Sequence, residues 1–365
     1  MTDTSPYSGT IRRATLHDVA AEAGVSVSAV SKVIRNSTGV SAQMRERVEA
    51  AIEKLHYRPH AGARAMRGST YTIGIVMVEL TSPFQPEVAQ GVMHGLEGTQ
   101  YQGIIVSASG EAQRQQRAIE ALLDRQVDGL ILIAPFTSTD WLEQLASNIP
   151  VVVIARHGAS ANYDTVVDDD FEGARLLVDH LVGLGHTKIA HTGHPSGGLK
   201  RPSVLSHTAR RDGYEKAMRT HGLEPDVVVT TYSEEGGYAA AMQVLNRPSP
   251  PTAIFAGADI AALGVLRAAE ERGLRVPEDL SVAGYDNIYI SQIGRVSLTT
   301  VDQSGQMTGS TSARLLVERI HGRTQPVHYV IAPRLVPRST TASPAASVGV
   351  PGSRRPRLRE ADSSA

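Results

Sequence analysis

Residues 193–200 have the types and spacing that could bind a phosphate group. They read GHPSGGLK and follow a short apolar run, as the glycine-rich loop of a nucleotide-binding enzyme does. Leu199 separates Gly198 from Lys200, so the Gly-Lys-Ser/Thr ending that holds the phosphates is absent. This stretch therefore does not predict a nucleotide-binding loop.

A second set of residues could hold a metal ion. His191 and His194 are close in sequence, but no clear third ligand accompanies them, and ordinary loop chemistry is the stronger interpretation. The run Asp168–Asp170 could bind a cation, although capping of a helix that begins at Phe171 explains it better. The sequence also lacks a GxSxG motif and an evident nucleophile–base pair, so it predicts neither an enzyme nor a cofactor.

Composition and charge limit the class of protein. The 365 residues suffice for two or three domains and include no cysteine. No apolar run resembles a signal peptide or a membrane span, so we expect a cytoplasmic protein. Residues 1–70 hold ten basic and six acidic residues, whereas residues 71–337 hold 21 and 29. A basic first segment on an acidic body fits a polyanionic partner for that segment.

The stretch after a polar N-terminal arm, residues 1–13, begins with the pattern of a short helix. Four apolar residues at i, i+3, i+4 and i+7 share one face, Thr15 and Asp18 have the spacing of a capping box, and Gly24 ends the helix. The four apolar residues are Leu16, Val19, Ala20 and Ala23.

Two more helices are predicted to begin after Ser26 and Ser41, which are typical N-cap residues. Their apolar residues are Val30, Val33 and Ile34 in one, and Met44, Val48, Ile52 and Leu55 in the other. Two helices joined around Gly24, with a third completing the core, indicate a helix-turn-helix domain at residues 14–58. Any small three-helix bundle would share the pattern. We expect the third helix to end at Tyr57-Arg58-Pro59, because the residue before a proline avoids the α region.

From Tyr71 onward, short apolar runs alternate with amphipathic segments, which predicts parallel sheets covered by helices. The predicted strands are 73–78, 104–106, 130–133, 151–154, 189–190, 227–229, 253–255 and 280–283, and the predicted helices are 86–97, 112–125, 140–147, 171–184, 208–221, 236–245, 260–272 and 307–321. This number of units suits two Rossmann-like lobes at 71–337, with a ligand cleft beyond the carboxyl ends of the strands. Residues 338–365 lack hydrophobic periodicity and are predicted to be disordered.

A combination of segments now becomes recognisable. The first ones read ATLHDVAAEAGVSVSAVSKVI, VSAQMRERVEAAIEKLHYRPH, ARAMRG and TIGIVM. The later ones are SPF at 82–84, LVGLGHTKIAHTG at 181–193, ARRDGY at 209–214 and GLRVPEDLSVAGYDN at 273–287. Over about residues 14–337, the chain resembles the lac repressor (LacI/GalR) family of bacterial transcription regulators.

The resemblance implies an α/β protein with an N-terminal helix-turn-helix domain, a hinge helix and two lobes of the periplasmic-binding-protein type. It implies a transcriptional repressor of carbohydrate-use genes that binds palindromic operator DNA as a homodimer or a tetramer. A small-molecule effector, a sugar or sugar derivative, would bind between the lobes and change the operator affinity. It implies no metal, no catalysis and no membrane partner.

By the same resemblance, the second helix, Val27–Ile34, would enter the major groove. Val27, Ser28 and Lys32 would face base edges, where Lys32 could donate to guanine or to a phosphate. The alternative for Lys32 is a solvated surface charge. The hydroxyl groups of this domain would bind DNA phosphates. At the N-cap positions Thr15, Ser26 and Ser41, helix capping explains the hydroxyl residue equally well. The remaining predicted DNA-binding residues of this domain are Thr15, Leu16, Ser26, Ser31, Ser41 and Tyr57.

Residues 59–70 are predicted to form a hinge helix and linker. Met66 aligns with a family leucine that wedges into the central minor-groove step and kinks the DNA, and Arg64 would approach the backbone there. So short a helix is unstable alone, so the operator and the partner hinge would order it together. An effector that moves the lobes would then change DNA affinity through this hinge.

In the two-lobed core, Arg210 matches the family arginine that clamps the effector, and Asp286 matches its acidic partner. A guanidinium fork and a carboxylate suit vicinal hydroxyls, and an interlobe ion pair is the alternative. Asp259 is expected to contact ligand, although Ala258 replaces the polar residue that often precedes it. The other predicted cleft residues are Ser82, Pro83, Phe84, Arg156 and His157.

Two other classes of protein share parts of this pattern. A solute-binding protein would have the same two lobes, but it predicts a signal peptide and no helix-turn-helix. An enzyme on this scaffold predicts a catalytic group in the cleft. The sequence favours neither of them over a ligand-responsive regulator.

Overall fold

The computed structural model of the chain describes residues 14–34, 37–57, 69–78, 80–108, 111–195 and 205–345. These described residues fall into two compact units, one within residues 1–70 together with 123–126 and the other within residues 71–122 and 127–365. The predicted hinge helix, with Arg64 and Met66, lies outside the described residues. None of the helices in the described ranges is long and apolar enough to cross a membrane.

The N-terminal unit contains the three predicted helices, α1 Leu16–Ala23, α2 Val27–Ile34 and α3 Ala42–Lys54. The predicted capping box is confirmed, because Thr15 and Asp18 each accept a hydrogen bond from the other's backbone N–H. Ser26 and Ser41 accept bonds from the N–H groups three residues further on, at 3.2 and 3.3 Å. These local bonds satisfy helix N–H groups that would otherwise lack partners.

The third helix ends earlier than predicted. Its last residue is Lys54, and His56 has a φ of +46°, so the chain leaves the helical conformation before Tyr57-Arg58-Pro59. The left-handed backbone at His56 ends the helix, and the proline that follows is not needed for this. The core of the unit consists of Val19, Ala20, Ala23, Val30, Val33, Val48, Ala51 and Tyr57.

The second unit alternates strands and helices as predicted. Its strands are β1 Thr72–Met77, β2 Gln102–Ser107, β3 Gly129–Ile133, β4 Val151–Ile154, β5 Asp164–Asp168, β6 Ile189–Gly193, β7 Asp226–Val229, β8 Ala253–Ala256, β9 Ser281–Ala283, β10 Thr300–Asp302, β11 His328–Ile331 and β12 Arg334–Val336. Its helices are α4 Phe84–Leu96, α5 Ala112–Leu123, α6 Thr139–Ala146, α7 Asp170–Gly183, α8 Ser206–Thr220, α9 Glu234–Leu245, α10 Asp259–Glu271 and α11 Gly305–Ile320, with a 3₁₀ turn at Tyr289–Gln292.

Two parallel sheets define two lobes within this unit. The N-terminal lobe has six strands in the order β11-β5-β4-β3-β1-β2, and the C-terminal lobe has four in the order β7-β6-β8-β9. All the pairings in both sheets are parallel, whereas β10 and β12 pair antiparallel. Because the strands of each sheet run in one direction, their carboxyl ends share an edge, where ligands bind in such folds. The predicted fold class is confirmed.

Strand β5 was not predicted from the apolar pattern, because its sequence, DTVVD, begins and ends with aspartate. All five residues are nevertheless buried. Asp164 accepts hydrogen bonds from the Arg323 guanidinium at 2.5 Å and from the Val327 N–H at 2.8 Å, and it forms an ion pair with Arg319. Distant partners therefore compensate the burial of a charge, and they are not visible in the local sequence.

The prediction that disorder begins at residue 338 is wrong for residues 338–345, which are ordered. Residues 338–345, which we call the strap, pack on the C-terminal lobe, and Thr340 is only 5% exposed. The Thr340 carbonyl accepts from the Val282 N–H at 2.8 Å, and the Arg338 guanidinium donates to Asn287 at 2.6 Å. Buried His186 contacts the Ala342 carbonyl at 2.9 Å. Backbone and side-chain bonds thus order a segment that has no apolar periodicity.

We expect deletion of residues 338–365 to lower the free energy of unfolding by at least about 3 kcal/mol, because several buried groups lose their hydrogen-bond partners. Urea denaturation of the full chain and of this deletion variant measures the difference. The matched control deletes only residues 346–365 and should stay within about 0.5 kcal/mol of the full chain. Equal stabilities for the two deletions would show that the strap contributes nothing.

Candidate functional site

One exposed face of α2 carries four of the residues predicted to contact DNA. Ser28 and Lys32 are exposed and stand four positions apart, while Val27 and Ser31 beside them are partly exposed. Residues at i, i+1, i+4 and i+5 lie on one side of a helix. The side of α2 that is turned away from the core therefore offers two hydroxyl groups and one cationic side chain, and Val27 at its edge also packs against the core.

Three of the predicted phosphate-binding hydroxyls lie at helix N-termini. Thr15, Ser26 and Ser41 are exposed, and each caps the helix that follows it. Leu16 and Tyr57 differ from them, because Leu16 packs against the core and Tyr57 is only 7% exposed. Both side chains therefore contribute to the core, and their contact with DNA stays a prediction. A helix N-terminus with a capping hydroxyl is a suitable place for a phosphate group.

Arg47 is a positioning residue that the sequence did not reveal. Its guanidinium donates to the carbonyls of Ala23 and Gly24, at the end of α1, from helix α3. Gly24 has a φ of +63°, and a Cβ there would lie 2.7 Å from the Arg47 guanidinium. The turn between α1 and α2, and with it the orientation of the exposed face of α2, is therefore fixed by a contact with α3.

In the second unit, the lobes meet around a buried carboxylate. Asp170, the first residue of α7, is 0% exposed. Its Oδ1 atom accepts hydrogen bonds from Arg210, at 2.7 Å from Nη2 and 3.2 Å from Nε. Its Oδ2 atom lies 2.9 Å from His157 Nε2. Arg210 belongs to the C-terminal lobe and His157 follows β4 of the N-terminal lobe, so one carboxylate contacts both.

Further contacts cross between the lobes near this carboxylate. Tyr285, which follows β9, donates to Asp168 at the end of β5 with a distance of 2.8 Å. Arg156 forms an isolated β-bridge with Leu205 at the start of α8. Asp168, Arg156 and Tyr285 lie at or just after the carboxyl ends of β5, β4 and β9. The cleft predicted at the carboxyl ends of the strands is therefore lined by polar contacts.

Arg210 is a buried cation with a fixed orientation. It is 4% exposed, it also donates to the Gly257 carbonyl, and its guanidinium carbon lies 3.6 Å from the centre of the Tyr285 ring. Burial favours its neutral form, but Asp170 outweighs that effect and raises the pKa of Arg210 well above its usual value. Arg210 is therefore charged, and its ion pair lies within the C-terminal lobe rather than between lobes as the alternative in the sequence analysis held.

The two other buried carboxyls near Arg210 hold their protons more tightly than usual. Burial and the nearby Asp170 raise the pKa of Asp168 to about 7. Burial also raises the pKa of Asp286 well above its ordinary value, and the Arg210 charge offsets this only in part. The Asp286 carboxyl accepts a hydrogen bond from the Gln303 amide, which holds it in place. The charge of Arg210 acts on it without a direct hydrogen bond being needed.

The geometry does not support the predicted ligand contact of Asp259. This carboxylate is 0% exposed and accepts bonds from the Ser291 hydroxyl at 2.6 Å, the Thr300 hydroxyl at 2.5 Å and the Ile288 N–H at 3.0 Å. All its partners lie within the C-terminal lobe. Asp259 therefore anchors the loop that carries Asp286, and the sequence could not reveal that its side chain points inward.

Arg156 is likewise occupied by the protein. It is 3% exposed, and its guanidinium donates to the Pro135 and Thr137 carbonyls at 3.0 and 2.7 Å and to the Thr139 hydroxyl at 2.9 Å. Burial lowers its pKa. These bonds hold the loop between β3 and α6, which makes Arg156 a positioning residue of the cleft wall rather than a free effector clamp.

The predicted triad at residues 82–84 lies at the start of α4. Ser82 is buried, Pro83 is the N-cap residue, and Phe84 packs against the core of the N-terminal lobe. Part of the Phe84 surface remains exposed. The Phe84 ring is therefore held in place by packing.

Tyr232 is a cleft residue that was not predicted from the sequence. It follows β7, and its ring lies 5.9 Å from the Arg210 guanidinium carbon and 5.1 Å from the His194 ring. Its hydroxyl approaches Gly257 so closely that a Cβ there would lie 2.3 Å from it. His207 completes this aromatic group, 4.8 Å from His194, and burial lowers the pKa of His207 to about 3.

The residues considered as metal ligands have structural roles. His191 lies in β6 rather than in a loop, is fully buried, and contacts the Phe255 carbonyl at 3.0 Å. Asp169 caps α7 by accepting a bond from the Glu172 N–H at 3.0 Å. Within the described ranges, no group of three or more histidine and acidic residues is placed to hold a metal ion.

Comparison with known proteins places the chain in a family. Residues 15–60 match the family described as bacterial regulatory proteins, lacI family, and residues 178–341 match a periplasmic binding protein-like domain. The chain is 34% identical over 337 residues to the HTH-type transcriptional repressor PurR of Erwinia tasmaniensis, which covers 90% of this chain and 97% of that protein. The chain belongs to the lac repressor family.

Two further relatives of the lac repressor family support this assignment. The ribose operon repressor of Escherichia coli K12 is 35% identical over 319 residues, or 86% of this chain and 94% of that protein. A crystal structure of the lac repressor dimer bound to operator and the anti-inducer ONPF has a TM-score of 0.78 and 30% identity, covering 91% of this chain and 100% of that chain. Like these members of the family, the chain is a DNA-binding transcriptional regulator.

For a member of this family, we expect the Lys32→Ala substitution to weaken operator binding by about 1–3 kcal/mol and to relax the preference at one position of each half-site, because a base contact is lost. Fluorescence anisotropy with the operator and with single-base variants measures both effects. Lys54→Ala, which removes another exposed lysine of the same domain, is the control. An equal loss on operator and random DNA would mean that Lys32 contacts only phosphate.

Proposed function

We propose that this repressor controls carbohydrate-use genes and that a sugar-like effector in the interlobe cleft changes its affinity for operator DNA. The observation that carries the proposal is Arg210, a buried guanidinium held by Asp170 where the two lobes meet. Arg210 and Asp286 offer donors and a carboxyl group to vicinal hydroxyls. The relative that is a ribose operon repressor supports a sugar as the effector.

The proposed effector site differs from the set predicted from sequence. Arg210, Asp286 and Phe84 remain in it, and Tyr232 and His207 are added as an aromatic wall. Arg156 and Asp259 move to a supporting role because their polar atoms are occupied within the protein. Ser82 and Pro83 are retained as the backbone that positions Phe84 at the start of α4.

The proposed DNA site is the exposed face of α2 with the capping hydroxyls around it. Lys32 and Ser28 would meet base edges, and Thr15, Ser26, Ser31 and Ser41 would meet phosphates. Two copies of this face, carried by a homodimer, would read the two halves of a palindromic operator. Arg64 and Met66 would contact the minor groove between the half-sites. A repressor that binds chromosomal DNA would act in the cytoplasm.

The test is operator binding with and without sugars. We expect one sugar of a broad panel to change the affinity of the wild-type protein for its own promoter DNA, as measured by gel shift or anisotropy. Arg210→Ala should bind the operator in the absence of sugar but need roughly 100-fold more of it for the same response, because charged hydrogen bonds to the effector are lost.

Arg219→Ala is the matched control, since Arg219 stands on the same helix, is exposed and pairs only with Glu215 among the described residues. Circular dichroism and thermal unfolding establish that Arg210→Ala is folded. A wild-type sugar response in Arg210→Ala would contradict the proposed site. A wild-type protein whose operator affinity no sugar changes would contradict the proposed effector class.

A further inference from the structure

The charge of the cleft defines which class of effector it can take. Three carboxyl groups, those of Asp168, Asp170 and Asp286, lie buried around one guanidinium, with exposed fractions of 4%, 0% and 7%. They are close enough to influence one another. The negative charge of Asp170 raises the pKa of Asp168, and that of Asp168 raises the pKa of Asp286. At pH 8, the pH of the experiment below, Asp170 and Asp168 are ionised, whereas Asp286 holds its proton more tightly, so negative charge still outnumbers the single charge of Arg210 at the centre of the cleft.

The Arg210 guanidinium is not available to neutralise an incoming anion. Nε and Nη2 already donate to the same Asp170 oxygen, Nη1 donates to the Gly257 carbonyl, and the Tyr285 ring covers one face. A phosphate group binds arginine best through two parallel N–H donors, and the two that could form such a fork on the Nε side are engaged by Asp170. The ion pair leaves single donors, which suit a hydroxyl group.

Three other basic side chains at the described cleft, those of Arg156, His157 and His207, are also unavailable to an anion. The Arg156 guanidinium binds two backbone carbonyls and the Thr139 hydroxyl. His157 contacts Asp170, and His207 is neutral near pH 7 because burial lowers its pKa to about 3. Within the described part of the cleft, an anionic group would therefore meet buried carboxylates, and none of these three side chains is free to pair with it. Like charges in such a site oppose binding strongly.

We propose that the cleft takes an uncharged polyhydroxyl effector and excludes phosphate esters and other anions. This inference rests on the proposed function and makes its ligand class more specific. Hydroxyl groups can donate to Asp286 and Asp168 and accept from the remaining N–H groups of Arg210. The C–H face of a sugar ring would pack on the Tyr232 ring, which lies beside Arg210.

The experiment compares matched pairs of ligands on the full chain by isothermal titration calorimetry at pH 8. The pairs are ribose with ribose 5-phosphate, galactose with galactose 6-phosphate, and glucose with glucose 6-phosphate, with inorganic phosphate as a separate probe. We expect the free sugar of at least one pair to bind and its phosphate ester to bind at least roughly 100-fold more weakly. Inorganic phosphate should not bind in the cleft or compete with the sugar.

Asp168→Asn tests whether charge causes the discrimination. The amide oxygen can still accept a hydrogen bond from Tyr285, while one negative charge is removed. The ratio of the dissociation constants of the phosphate ester and the free sugar should therefore fall about tenfold. Asp212→Asn makes the same change on the exposed side of α8, where the side chain is 51% exposed, and should leave the ratio unchanged. An unchanged ratio in Asp168→Asn would overturn the charge explanation.

The outcomes separate this inference from the proposed function. A phosphate ester that binds as tightly as its free sugar and changes operator affinity would overturn the inference and leave the proposed function intact. Binding of no member of any pair would overturn both. Binding of a free sugar without any effect on operator affinity would overturn the proposed function alone.

Discussion

The cleft depends on the charge of Asp170. A fully buried carboxylate is stable only if partners supply hydrogen bonds and opposite charge, and here Arg210 comes from one lobe and His157 from the other. Removal of either partner would leave part of the charge uncompensated. The ion pair with Arg210 fixes the plane of the guanidinium, and the contact with His157 joins the lobes. One carboxylate thus both links the lobes and determines which hydrogen bonds an effector can make with Arg210.

Polar contacts join the lobes here, whereas apolar clusters hold each lobe together. Interfaces of this kind allow domains to move relative to one another at a small cost in free energy. A ligand shifts such an equilibrium by its difference in affinity for the two arrangements. Because Arg210 is already paired with Asp170, an effector would bind one arrangement of the lobes more tightly through hydroxyl groups that bridge the lobes. Neutralisation of charge would contribute little to this difference in affinity.

Features set by local sequence could be predicted, and features set by distant partners could not. The caps at Thr15, Ser26 and Ser41 depend on residues three positions away, and the parallel sheets follow from apolar runs. Strand β5 and the strap escaped prediction because their polar groups are buried against residues far away in sequence. Asp170 was interpreted only as part of a helix cap for the same reason, since nothing near it in the chain indicates Arg210 or His157.

The most direct test of the account is the effector response of Asp170→Asn. With a sugar that changes wild-type operator affinity, anisotropy titrations should show unchanged operator binding without sugar and at least a tenfold higher sugar concentration for half the response, because Arg210 loses its counter-ion. Asp179→Asn, on the same helix but exposed, should respond as the wild type does. A wild-type response in folded Asp170→Asn would contradict the central role given to this carboxylate.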